Sequence, residues 1–208
     1  MTVKNFFTNQ KIWPRGLPLP FVNNHPSLKD SISLKKIKIG IWQGLANKDP
    51  DVDAIYRLTD GRICNFKNRT PLVLGKGTIT PFNSQNTMIR KELFPLLYLP
   101  SSVTFRFTDI LRSWVAQPIM WAFNFHLGFT NATVLQERNE HNNFKDFISE
   151  LPMYTHSEAI VDKINGVISS RYSIIDNLYN SYECLVSNKF ILKKELKVVN
   201  EWINQLQL

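Results

Sequence analysis

The chain has 208 residues, 43% of them hydrophobic and 12% aromatic, with a formal charge of +8. That length and apolar content suffice to bury one core and exclude wholesale disorder. The positive balance favours anionic partners such as nucleotides, phosphates or an anionic membrane surface, but the Lys and Arg residues are spread out, and no zinc-finger or RNA-binding signature is present, which argues against nucleic acid.

Residues 1–36 contain "WPRGLPLP" and "NNHPS". Prolines so closely spaced forbid a regular helix or a central strand, so an extended loop laid over a surface is expected. "IKIGIWQGLA", residues 37–46, reads as a short strand or a helical turn. "DPDVDAIYRLT" reads as a turn followed by a short strand over 54–58. "PLVLGKGTIT" is a strand pair or a strand with a glycine bend. The spacing of Met88, Leu93, Leu96 and Leu97 predicts a helix over 87–98, ended by Pro100. "SVTFRFT" alternates Val103, Phe105 and Phe107 with polar residues, a strand period. Thr108 or Asp109 can then cap a helix, "DILRSWVAQPIMWAF", in which Pro118 is a kink or a restart. "LGFTNATVLQ" reads as another strand. From about residue 142 the pattern becomes that of amphipathic helices, with Gly166 and Ser169-Ser170 as soft points. The expected organisation is an α/β region over 1–150 and a helical extension over 151–208, whose apolar stripes are read as packed core.

Cys64 and Cys184 match no metal-ligand spacing and read as one disulfide or, preferably, two free buried thiols. His25, His126, His141 and His156 are scattered. "LGKGT" lacks the P-loop pattern. The N-terminus lacks a signal peptide's apolar core, and no apolar run approaches the roughly 20 residues that span a bilayer. The compartment stays open.

Four polar stretches carry chemistry. In "WPRGLPLP", Arg15 between Pro and Gly can hold a guanidinium against an anion, or sit in a solvated surface turn. In "NKDPDVDAIYRL", Asp51 and Asp53 form a D-x-D that suits Mg²⁺ or Mn²⁺ with a nucleotide diphosphate if both lie on a strand; the alternative is an acidic turn with a capping Asp. "PFNSQNT" concentrates Asn83, Ser84, Gln85 and Asn86, directional groups that suit sugar hydroxyls or a base edge, beside a helix-capping alternative. "RFTDILRSW" places Asp109 at an expected strand-to-helix junction between Arg106 and Arg112. Asp109 there can act as a general base toward a hydroxyl, or as a helix cap that pairs with Arg112.

All four recur, in this order, in one family. Through "WPRGLPL", "WQGLANKDPDVDAIYRLT", "PFNSQNT", "LPSSVTFRFTDILRSWVAQ" and "NNFKDFISELPMY", about residues 8–155, the chain resembles the glycosyltransferase-like family that includes the plant STELLO proteins. The resemblance implies a GT-A-like nucleotide-sugar-binding fold, distantly similar to the plant UDP-arabinopyranose mutases; a nucleotide-sugar donor such as a UDP-sugar is expected, with a divalent cation, Mn²⁺ or Mg²⁺, as a further expectation from the D-x-D. If the chain is such an enzyme, Asp109 is the expected catalytic base. Trp13, Arg15, Gln43, Asn83, Ser84, Gln85, Asn86, Arg106 and Arg112 become the groups around sugar, acceptor and diphosphate. The family's own acidic D-x-D-D motif precedes the Trp-Pro-Arg-Gly-Leu-Pro element, whereas twelve residues precede Trp13 here. Asp51 and Asp53 match a later motif, which lowers their claim to the metal. The chain therefore looks like the acceptor-side half of such a transferase. It is expected to use a carbohydrate or glycoconjugate acceptor, and a partner chain or self-association through its C-terminal helices; a non-catalytic carbohydrate- or protein-binding module is the alternative. Plant members reside in the Golgi with cellulose synthase, a placement that does not carry over.

Overall fold

In the computed structural model, residues 2–23 and 32–206 are described; the expected loop over 24–31, with His25, lies outside the described residues. The N-terminal segment is not a surface loop. Thr2 caps a short helix, α1 (Val3–Phe7), through a reciprocal bond with Asn5, and its hydroxyl donates to the Ile12 carbonyl at 2.7 Å. Phe7, Ile12, Trp13 and Leu17 are all buried. The prolines keep the segment extended, and its apolar side chains pull it into the core. A single turn, α2 (Pro20–Asn23), follows.

A four-stranded mixed sheet is ordered β2-β4-β1-β3. β1 (Ile39–Lys48) is central: it runs parallel to β4 (His126–Gln136) and antiparallel to β3 (Thr87–Ile89). β2 (Leu72–Val73) pairs antiparallel with β4 on the other edge. The expected strands at 37–46 and in "LGFTNATVLQ" are thus present, and "PLVLGKGTIT" is a two-residue strand with a bend, where Gly77 adopts φ +84°.

Three expectations are corrected. Residues 54–58 are helix, not strand: Asp53 accepts the Tyr56 N–H at 2.8 Å and caps α3 (Ala54–Thr59), and a satisfied cap outweighs a short β-like pattern. Residues 87–98 are not one helix. Thr87 to Ile89 pair with β1, and Lys91–Leu97 form a 3-10 segment containing Pro95, which has no N–H for an α ladder. Residues 103–107 are not a strand: Phe105 and Phe107 would share one strand face, yet Phe105 is exposed and Phe107 buried, in a 3-10 turn.

That turn runs into α4 (Thr108–Ala122). Neither Thr108 nor Asp109 caps it; Phe107 occupies the cap position without a side-chain bond. Pro118 sits inside the helix without ending it, and Ile110 to Trp121 are all buried. Three further helices complete the chain: α5 (Asn143–Asn165), α6 (Ile174–Ser187) and α7 (Glu195–Leu206). Asn142 caps α5, Gly166 ends it, and Ser173 with Asp176 forms a capping box on α6.

One apolar cluster runs through all layers, from Phe7 and Ile12 through Ile41, Leu127 and Trp114 to Tyr182, Val199 and Ile203. A polar clasp fastens α7: buried Glu195 accepts the Ser101 and Ser102 N–H groups, both at 2.8 Å, and the Tyr98 hydroxyl. Cys64 and Cys184 are free, the first buried and the second half-buried. No helix among the described residues is long and apolar enough to cross a membrane.

Candidate functional site

The buried N-terminal strap, the β1–α3 turn, the loop before β3 and the start of α4 meet at one point. Gly16 makes the turn that delivers Arg15. Its φ is +82°, and a Cβ there would lie 2.3 Å from Ile110 Cγ2, so only glycine passes this close to α4. The Arg15 guanidinium is buried between two carboxylates. Nε and Nη2 donate to Asp51 Oδ1 and Oδ2, each at 2.9 Å; Nη1 and Nη2 donate to Asp109 Oδ1, each at 3.1 Å; Nη1 also reaches the Arg106 carbonyl. Burial alone would raise the Asp51 carboxyl, but Arg15 overrides it and holds the group well below the usual carboxylate range. Burial likewise works against the Arg15 charge, yet Asp51 and Asp109 raise its affinity for the proton.

The amide-rich loop joins the same knot. Asn83 Nδ2 donates to Asp51 Oδ2 at 2.7 Å, and the Ser84 N–H to Asp109 Oδ2 at 3.2 Å. The loop's other groups pair inward. Gln43 Oε1 accepts the Asn83 N–H at 2.9 Å and the Thr87 hydroxyl at 3.2 Å, while its Nε2 donates to the Asn86 carbonyl at 3.0 Å. Gln85 Oε1 accepts the Asp51 N–H at 3.3 Å. Asn86 Nδ2 donates to the Leu45 carbonyl and Thr133 Oγ1 at 3.0 and 2.9 Å. Gly44 permits that approach, since a Cβ on it would sit 2.4 Å from Asn86 Nδ2. The cavity beside this network, lined by Lys4, Gln43, Asp51, Asn83, Gln85 and Phe129 among others, is about 20 Å³. That admits about one water and no sugar ring. Arg15, Asp109 and the amide-rich loop meet at one point, but no sugar-sized pocket lies between them, because the space is filled by their own hydrogen bonds.

Sequence reasoning missed Lys4. Its amine is buried against the Asp51 carbonyl, and burial pulls it down to about 8 despite the nearby Asp51 carboxylate. Nothing in "VKNFF" marks that lysine.

Asp51 and Asp53 do not face one space. Asp53 accepts the Trp13 indole N–H at 2.6 Å and caps α3, and burial pushes its carboxyl up to about 6. A divalent cation at Asp51 would have to displace Arg15 and Asn83, so the pair does not fit a metal in this arrangement. Among the described residues, no group of three or more His, Cys, Asp or Glu is placed to hold one.

The two remaining arginines differ. Arg106 pairs with Glu150 and lies 3.6 Å from Asp146. Arg112 is 5% exposed and stacks on Phe82 at 5.3 Å, with no hydrogen-bond partner at Nε or Nη2. Burial draws its guanidinium below the usual range, against the opposing pull of Asp109.

Asp146 also pairs with Arg138 and His141, at 2.7 and 3.4 Å. A chain of polar contacts therefore leads from Asp109 through Arg15, Arg106 and Asp146 to an open pocket of about 200 Å³, lined by Asp49, Arg57, Gly61, Arg138, Asn139, His141 and Asn143. None of these was a candidate from the sequence; "ERNEHNN" is the polar run that could have pointed there.

Residues 106–208 match the family model described as STELLO glycosyltransferases. The match takes in α5 to α7, so it reaches past the motifs that carried the resemblance, which stopped near residue 155. Two Arabidopsis thaliana proteins, "Probable glycosyltransferase STELLO1" and "Probable glycosyltransferase STELLO2", are 26% and 25% identical over 208 residues, 96% of this chain. The chain spans about a quarter of their length, 26% and 27% respectively.

Proposed function

We propose that this chain, a relative of the STELLO glycosyltransferases, is the acceptor-side portion of a GT-A-like transferase that moves a sugar from a nucleotide-sugar to an acceptor hydroxyl. The observation that carries this reading is the Arg15–Asp51–Asp109 knot. It ties three of the recurring stretches to one point, and Asn83 and Ser84 bring in the fourth.

The geometry divides the roles. Both Asp109 oxygens accept from Arg15, and one also accepts the Ser84 N–H, so Asp109 fixes the Arg15 turn and serves as a base only toward a hydroxyl that displaces one of these donors. Arg112 is the cation left for diphosphate charge: its Nε and Nη2 are buried without partners, whereas Arg15 and Arg106 are engaged by carboxylates. Residues 1–150 form the transferase-like region and 151–208 the helical extension. On α5, which runs unbroken across that boundary, the exposed Phe144, Ile148 and Leu151 offer a surface for a partner chain or self-association.

Calorimetric titration with UDP-sugars plus Mn²⁺, alongside an assay for sugar release, tests the reading. Binding in the wild type that is lost in Arg112→Met is expected. No heat and no hydrolysis with any nucleotide sugar overturns it. The cavity, about 20 Å³, leaves no room for a sugar ring beside Asp109, which favours a second, non-catalytic reading: a module that binds protein, or carbohydrate at another part of its surface. Binding of an oligosaccharide by a chain that ignores every nucleotide supports that module.

A further inference from the structure

The open pocket lies where residues 49–61 face the turn that enters α5. Its volume, about 200 Å³, is far above the roughly 10–15 Å³ that admits one water, and its lining is polar. Its lining carries two guanidinium groups, Arg57 and Arg138, against one carboxylate, Asp49. One oxygen, Asp146 Oδ2, serves Arg138 at 2.7 Å, His141 Nδ1 at 3.4 Å and Arg106 at 3.6 Å. Arg57 places Nη1 on Asp49 and Nη2 on the Pro50 carbonyl, while its Nε is buried with no partner. Burial, then the neighbouring Arg57 and Arg106 charges, draw Arg138 below the usual guanidinium range, against the opposing pull of Asp146 and Asp49.

The backbone adds to this. α5 is 23 residues long and starts at Asn143, a lining residue. The Asn142 side chain takes the Lys145 N–H, which leaves the Asn143 and Phe144 N–H groups at the positive end of a long helix. The side chains of Asn139 and Asn143 make no hydrogen bond among the described residues, and His141 Nε2 has none either.

The geometry points to this pocket as a binding site for a phosphate group carried by a small molecule. Arg138 and Arg57 supply charge, the two asparagine amides supply directional donors, and the α5 N-terminus supplies backbone N–H groups. A guanidinium presents its donors in a planar fork that matches phosphate oxygens, and charge-assisted bonds of this kind are the strong ones. Asp49 and Asp146 do not oppose the ligand; each is neutralised by an arginine it already holds. The assignment stands apart from the transfer reading, because it uses neither Asp109 nor Arg112.

The test is an NMR titration of the whole chain with inorganic phosphate, UDP and glucose 6-phosphate at constant ionic strength, with chloride and glucose as references. Saturable shifts are expected at the Asn143 and Phe144 amides and the His141 ring with at least one phosphate compound, and none with glucose. Arg138→Gln should weaken that binding about tenfold, the equivalent of one charge-assisted hydrogen bond. Asn139→Asp alters an exposed residue without hydrogen bonds and places a repelling charge at the mouth, so it should weaken binding by at least as much while leaving the fold intact. Tighter binding of UDP identifies the diphosphate of a nucleotide as the source; tighter binding of glucose 6-phosphate identifies a phosphorylated sugar. The assignment is overturned if no phosphate compound gives saturable shifts at these three residues, or if Asn139→Asp binds as the wild type does. UDP binding that survives both variants and is lost in Arg112→Met would sink this pocket while leaving the transferase reading in place.

Discussion

Arg15 reaches Asp109 across 94 residues of chain, with Nη1 and Nη2 each 3.1 Å from the same carboxylate oxygen. Arg15 is buried and both carboxylates it neutralises, Asp51 and Asp109, are largely so, and its removal strands the two of them. Arg15→Leu is expected to cost about 3–5 kcal/mol in unfolding free energy, the penalty for breaking a buried pair from one side. The double variant Arg15→Leu/Asp109→Leu should lose less than the sum of the single variants. Urea titration measures both, and strict additivity would contradict the pairing.

Gly16→Ala tests how the guanidinium is delivered. A methyl group there meets Ile110 Cγ2 at 2.3 Å in a left-handed backbone. Overpacking costs about 1–3 kcal/mol and the left-handed conformation a further 1–2 kcal/mol or so. Gly77→Ala has the same backbone sign, φ +84°, with nothing within 4 Å. It should show the backbone cost alone, and equal losses in the two variants would refute the close approach to α4.

Much of this site was legible before any coordinates. Arg15, the amide loop and Asp109 stand far apart in sequence, yet each lies in an unusual polar stretch, and they meet. What the sequence could not show is who sits opposite whom. Asn83, Gln85 and Asn86 advertise hydrogen bonding, but donors and acceptors look the same whether they await a sugar or hold a loop to β1. The misread elements share a cause. Asp53 as a cap outweighed the strand-like pattern at 54–58, and Phe105 and Phe107 alternated without a neighbouring strand to pair with. The open pocket beside α5 was hidden because Arg57 and Arg138 lie on segments that only the fold brings together. The C-terminal helices were legible from their apolar stripes, although their kinship was not.

Asp53 gives a pH signature. Burial pushes its carboxyl up to about 6, whereas an unfolded chain titrates near 3.9. The folded state therefore holds this proton more tightly. The associated stability is fully present below about pH 4 and is lost as pH rises through about 6. Asp53→Asn cannot titrate; it keeps one of the two acceptor oxygens that Trp13 and Tyr56 use and faces the other donor with an NH2 group, a loss that does not change with pH. Against that variant, the wild type should lose about 2 kcal/mol between pH 4 and 6, and about 3 kcal/mol over the whole transition. Denaturation midpoints of both proteins across this range measure the difference, and a flat difference rules out the buried acid.

Arg112 should separate stability from ligand response. A buried guanidinium with two unpaired groups is costly, and an apolar replacement of similar length removes that cost. Arg112→Met is expected to raise unfolding free energy by about 1 kcal/mol or more while abolishing the response to nucleotide sugars. A destabilised variant would mean that the stacking on Phe82 outweighs the unpaired charge.

The clasp on α7 predicts a local effect. Glu195→Ala leaves the Ser101 and Ser102 N–H groups without an acceptor. It should cost about 3 kcal/mol or more, since bonds to a charged group contribute about 1.5–3 kcal/mol each. Limited proteolysis should then cut between α6 and α7 before any site in the sheet; cleavage elsewhere first would argue against the clasp.

From Ile110 to Trp121 every residue of α4 is buried. Its interior amides can trade hydrogen for deuterium only when the molecule opens as a whole, so their exchange rates report global unfolding directly. Pro118, which has no amide hydrogen, is the one silent position in that built-in gauge.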